Sequence, residues 1–131
     1  METSILLING SSDGYWRQVL QEALSPLGSV AIAEEREALS QVLRQQHDVI
    51  IIDASAVTKA FELVSEIRRM RPDARVVIAT TSPTWRLARE AFHAGATDYV
   101  RKTLVHSEIL ATFRDVLRKQ PAPWPSSHTG R

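Results

Sequence analysis

Several short apolar runs in the sequence end against residues able to do chemistry. Asp53 closes the run Val49–Ile52. Thr80, Thr81 and Ser82 follow Val76–Ala79, and Arg101, Lys102 and Thr103 follow the weaker run Tyr99–Val100. Asn9, Gly10, Ser11, Ser12 and Asp13 follow Ile5–Ile8. Each residue taken singly has an ordinary use. An aspartate at the end of a strand often caps a helix or sets a turn, a threonine there is an ordinary strand-end hydroxyl, and a lysine is most often a solvated surface cation. The conjunction says more. A carboxylate held near a fixed ammonium and a hydroxyl can accept a phosphoryl group, with the neighbours binding the added oxygens.

That chemistry needs a scaffold that brings the ends of separate runs together. The runs Ile5–Ile8, Val30–Ala33, Val49–Ile52 and Val76–Ala79 are short and mostly rich in β-branched residues, and Tyr99–Val100 is a fifth. Their unbroken apolarity predicts strands covered on both faces, as in a parallel sheet. Helical stripes lie between them. Trp16, Val19, Leu20, Ala23, Leu24 and Leu27 recur at offsets of three and four, with Gly28 as the expected stop. Further stripes are Ala38, Leu39, Val42, Leu43; Ala60, Leu63, Val64, Ile67, ended by Pro72; Leu87, Ala88, Ala91, Phe92, ended by Gly95; and Ile109, Leu110, Phe113, Val116, Leu117. Five repeats of strand then helix predict an α/β fold, a doubly wound parallel sheet with helices on both faces. In such sheets ligands gather beyond the carboxyl ends of the strands, where the residues above stand.

Length and composition narrow the class. The chain has 131 residues, enough for one core, and a globular apolar fraction of 44%. Sixteen basic residues nearly cancel fifteen acidic ones, so net charge argues for neither nucleic-acid nor membrane binding. Without cysteine there is no disulfide and no thiolate metal site. No signal-peptide pattern and no membrane-span-length apolar run is present, so a cytoplasmic location is expected. We expect one domain over residues 1–120. Residues 121–131, rich in Pro, Ser, His, Thr and Gly, read as a flexible tail or linker stub in which Trp124 is an exposed or surface-docked aromatic.

Three segments resemble the receiver domain of two-component response regulators, the CheY-like family, over roughly residues 4 to 119. His47–Asp53 (HDVIIID) is similar to the family's third strand, which ends in the phosphorylated aspartate. Val76–Thr81 (VVIATT) is similar to the fourth, with Thr80 at the switch hydroxyl. Ala94–Lys102 (AGATDYVRK) is similar to the fifth and is the most specific. The resemblance implies a flavodoxin-like (βα)5 fold with strand order 2-1-3-4-5. It also implies phosphoryl acceptance on Asp53 from a sensor histidine kinase or phosphotransfer protein, with Thr80 and Lys102 holding the phosphoryl oxygens. Tyr99 would change rotamer with Thr80. The face made by the fourth helix, fifth strand and fifth helix would then be remodelled, serving a homodimer or an output domain, fused or separate. Transcription regulation is the common output. No enzymatic activity is implied beyond weak self-phosphotransfer and autodephosphorylation, and no organic cofactor.

The sequence departs from the family pattern in three places. The acidic pair expected after the first strand is replaced by Asn9 and Gly10, or on a shifted alignment by Ser11 and Ser12, leaving Asp13 as the nearest acid. Those acids ordinarily help hold Mg2+, a hard cation that prefers carboxylates. With only Asp53 and Asp13 as acidic ligands, weak magnesium binding at most is expected, and the alternative use of Asp13 is to cap the first helix. The loop after Asp53, Ala54–Phe61, lacks the usual Pro and Asp-Gly, and Lys102 precedes Thr103 instead of proline, so no cis bond is expected there. Thr81 is bulkier than the small residue usual beside the switch position.

These departures leave a second reading open, a pseudo-receiver that regulates through protein contacts without phosphorylation. A reading of another class is a small flavodoxin-like cofactor binder using Ser11, Ser12 and Thr80–Ser82 as a phosphate loop. Arg68, Arg69, Arg71 and Arg75 cluster near one helix end and suit a helix terminus better than a nucleic acid. His47, His93, His106 and His128 lack close ligand spacing. Trp16 and Trp85, near helix starts, suit core packing, partner contact or the lining of the active edge.

Overall fold

The computed structural model describes residues 2–9 and 14–122. Five strands alternate with five helices: β1 Thr3–Ile8, α1 Gly14–Leu24, β2 Gly28–Ala33, α2 Ala38–Arg44, β3 Val49–Asp53, α3 Ala60–Met70, β4 Arg75–Thr80, α4 Trp85–Ala94, β5 Asp98–Arg101 and α5 His106–Val116. All neighbouring strands pair in parallel, in the order β2-β1-β3-β4-β5. The expected flavodoxin-like order is therefore the one formed.

The strand period of two splits the core between the faces of the sheet. Leu6, Ile8, Ile50, Ile52, Val76 and Ile78 pack with Val42 of α2, Leu63, Val64 and Ile67 of α3 and Ala91 of α4. Ile5, Leu7, Val49, Ile51, Val77 and Ala79 pack with Trp16, Val19, Leu20 and Leu24 of α1 and Ile109, Phe113 and Val116 of α5. The three central strands are thus buried on both sides, as their unbroken apolar runs require.

Two expectations are corrected. Val30–Ala33 is not covered on both faces. As an edge strand β2 pairs with β1 alone, and its Ala31 and Ile32 are exposed. Gly28 does not stop α1, which ends at Leu24; it opens β2. A Cβ there would lie 1.9 Å from the Thr3 carbonyl oxygen, so close strand approach is what demands glycine. Gly95 does end α4, with φ of 111°, the left-handed conformation that suits glycine at this position.

The arginine cluster ties loops to helix ends. Arg68 donates to the carbonyls of Pro72 and Ala74, Arg71 to those of Val42 and Leu43, and Arg75 to that of Lys119. At the edge where the strands begin, the Thr97 hydroxyl accepts from Val76 N–H and donates to the Pro121 carbonyl, and Lys119 Nζ meets Asp98 Oδ2 at 2.8 Å. Folded contact thus reaches Pro121, and Trp124 lies outside the described residues. No helix among the described residues is long and apolar enough to cross a membrane.

Candidate functional site: a buried carboxylate at the sheet edge

Because β3 lies between β1 and β4, the residue ending β3 meets whatever ends those strands. Ile8 pairs with Ile52, which sets Asn9 beside Asp53, and Asp53 pairs with Ala79, one residue before Thr80. Thr80 in turn pairs with Arg101, and Lys102 N–H bonds the Thr80 carbonyl. Asn9 is anchored by its own N–H to the Ala33 carbonyl. These pairings aim the side chains of Asn9 and Lys102 at one carboxylate.

Asp53 is fully buried. Its Oδ2 accepts from Asn9 Nδ2 at 2.7 Å and from Lys102 Nζ at 3.1 Å, and its Oδ1 accepts from the backbone N–H of Ser55 at 2.9 Å. The loop after β3 is held by its own turn, with Ala56 and Val57 N–H groups on the Asp53 carbonyl. The Lys102 side chain is only 4% exposed, and its Nζ lies 4.4 Å from the centroid of the buried Trp16 ring, within cation–π range. Trp16 therefore serves two of the three uses offered for it, core packing and lining of the site. Trp85 is 78% exposed at the start of α4, beside Ala88, Arg89, Phe92 and His93.

Of the expected site residues, Asp53 and Lys102 are joined directly. Thr80 stands on the neighbouring strand with its hydroxyl accepting from Ser82 N–H at 3.2 Å, a local turn. Thr80 and Tyr99 line one cavity of about 290 Å³, with Val57, Phe61 and Leu87 among its other walls. The Tyr99 ring packs against the core, and its buried hydroxyl has no hydrogen-bond partner among the described residues. Asp13, Ser11 and Ser12 lie outside the described residues, so the proposed metal role of Asp13 does too. Asn9 is the site residue that sequence reasoning left out of its ligand set. The signal was available: strands one and three are neighbours in the implied order, which sets the residue after Ile8 beside Asp53.

The described residues do not fit a divalent cation. They supply one carboxylate, already paired with an ammonium and an amide N–H, and no group of three or more His, Asp or Glu gathers there or elsewhere among them. A hard cation calls for several oxygen donors.

The comparisons with known proteins agree with this architecture. A family profile described as "Response regulator receiver domain" matches residues 13–114. The transcriptional regulatory protein ZraR of Escherichia coli (strain K12) is 33% identical over 102 residues, which are 76% of this chain; the chain spans 23% of that protein's length. The structure of a response regulator from Thermotoga maritima superposes with a TM-score of 0.80 over 89% of this chain and 98% of that one, at 21% identity. The chemotaxis response regulator CheY4 of Vibrio cholerae gives a TM-score of 0.78 at 26% identity, over 88% and 99% of the two chains. With the profile covering most of the chain and the sheet order agreeing, this protein belongs to the response-regulator receiver-domain family.

Proposed function

We propose that the protein is a signalling switch whose phosphoryl acceptor is Asp53. The observation that carries this reading is the convergence of Lys102 Nζ on the buried Asp53 carboxylate from a separate strand. In the reaction, an Asp53 oxygen attacks the donor's phosphorus. The P–N bond of a phosphohistidine on a sensor kinase or phosphotransfer protein breaks, its electron pair stays on the imidazole, and an acyl phosphate forms. Lys102, just after β5, and the Thr80 hydroxyl at the end of β4 would hold the new oxygens. Thr80 would leave Ser82 to do so, and Tyr99, sharing its cavity, would respond.

The output surface is the face of α4, β5 and α5. Exposed apolar residues at its borders, Trp85 at the start of α4 and Leu104 and Val105 in the turn before α5, suit contact with a second copy or with an output domain. By analogy with the name of the matched relative, that output is transcription regulation.

Complete burial of Asp53 favours a second reading, in which the carboxylate is a structural partner of Lys102 and the domain regulates through protein contacts alone. Intact mass after incubation with a small phosphodonor separates the two. A gain of one phosphoryl group, absent in Asp53→Asn, is the expected result. No gain in a folded sample selects the second reading.

A further inference from the structure

We propose that Asn9 closes the divalent-cation position of this pocket, so that its amide N–H and the Lys102 ammonium neutralise Asp53 in place of a metal ion. The proposal deepens the phosphoacceptor reading of the same pocket and rests on it for its functional meaning.

Asn9 is 1% exposed, and its backbone is fixed by the bond to Ala33. The neighbouring carboxylate sets its amide orientation. With the amide reversed, two oxygens would meet at 2.7 Å with no proton between them. The nitrogen therefore faces Asp53, and Oδ1 faces away, buried and without a hydrogen-bond partner among the described residues.

A magnesium ion binds oxygen at about 2.0–2.1 Å in strict octahedral geometry. Such an ion on Asp53 Oδ2 would have to enter where Asn9 Nδ2 and Lys102 Nζ already converge, at 2.7 Å and 3.1 Å. It would meet the positive end of an N–H dipole and a full positive charge. The other oxygen is engaged by Ser55 N–H. Among the described residues Asp53 is the carboxylate that meets Lys102, and the two charges match, so these residues add no net negative charge to draw the cation in. An aspartate at position 9 reverses every term. It removes the N–H and sets a second carboxylate against Asp53, leaving one negative charge in excess of Lys102 that a bridging cation relieves.

The test is calorimetric titration of Mg2+ and Mn2+ into the wild-type protein, Asn9→Asp and Asn9→Asp/Asp53→Asn. Asn9→Asp is expected to bind Mg2+ roughly tenfold or more tightly than wild type, and the double variant is expected to lose the gain. Wild type binding as tightly as Asn9→Asp, or no gain in Asn9→Asp, overturns the proposal. Should Asn9→Asp fold only with cation, a rise of its melting temperature with Mg2+ that wild type lacks is the supporting result. Should it not fold at all, Asn9→Ser, which exchanges the amide for an oxygen donor, decides: saturable Mg2+ binding absent in wild type supports the idea, and none sinks it. Intact mass with a phosphodonor, run with and without Mg2+ on the same samples, tests the phosphoacceptor reading separately. Absence of phosphoryl gain removes that reading and leaves the titration result standing, whereas tight wild-type Mg2+ binding removes the Asn9 proposal and leaves phosphoacceptance intact.

Discussion

Two lysine–aspartate pairs stand at opposite edges of the same sheet. At the edge where the strands finish, Lys102 meets Asp53 at 3.1 Å with side chains 4% and 0% exposed. At the edge where they begin, Lys119 meets Asp98 at 2.8 Å with side chains 32% and 19% exposed. Chemistry and distance are alike, and burial is not. The Lys119 pair is one of several stitches, with Asp115 also nearby, and its loss lets water in. The Asp53 pair is buried, so when one partner goes the other's charge falls to fixed neighbours such as Asn9, Ser55 and the Trp16 ring in place of water. The shorter ion pair is therefore the weaker constraint, because burial decides what is lost when a partner goes.

The largest effect that would break this comparison is at Lys102. Lys102→Met leaves a buried carboxylate without its counter-charge and is expected to cost about 3–5 kcal/mol in denaturant unfolding. Adding Asp53→Asn should recover much of that loss. Were Lys102→Met no more harmful than the matching change at Lys119, the two edges would be energetically alike.

Thr97→Val comes next. It keeps the shape but strips the acceptor from Val76 N–H and the donor from Pro121, at an expected cost of about 1–3 kcal/mol in the same assay. A smaller, graded effect belongs to His47, buried at the amino edge with Nδ1 2.9 Å from Ser4 Oγ. Burial pushes it below its ordinary value near 6.5, against Asp48 and with help from Arg71. The unfolded chain therefore takes the proton first. The stability this site contributes is complete above that value and falls as pH drops below it. Unfolding measured across this window should show the loss, and His47→Asn should flatten it. Smallest is Lys119→Met. Burial alone would lower its pKa, but Asp98 and Asp115 outweigh that and raise it; even so, a part-exposed pair is expected to give about 1 kcal/mol or less.

The same contrast explains what the sequence made legible. β1, β3 and β4 were readable because burial on two faces forces continuous apolar runs, and α1 because its stripe from Trp16 to Leu24 is buried. The reading was loosest where one side meets solvent. Leu43 belongs to the α2 stripe yet is 64% exposed, and only Ala91 of the α4 stripe is fully buried. Asp53 and Lys102 stood out because charges ending apolar strands carry a signal of their own. Asn9 did not, since an asparagine after a strand is an ordinary turn residue, and its meaning depends on which strand lies alongside. The roles of Arg75 and Thr97 were invisible for a related reason: both bond carbonyls more than twenty residues away in the chain.

The stitch at Pro121 also bears on how the molecule can be instrumented. Thr97 bonds Val76 and Asp53 pairs with Ala79, so three residues of β4 at about 3.3 Å each set them roughly 10 Å apart along the strands. A dye or affinity tag placed just after Pro121 would leave the carboxylate edge unobstructed. Its anchor would still be bonded to Thr97 and, through Lys119, to Asp98, the residue adjoining Tyr99. Such a probe would sense β5 as a handle senses its shaft, through orientation instead of proximity.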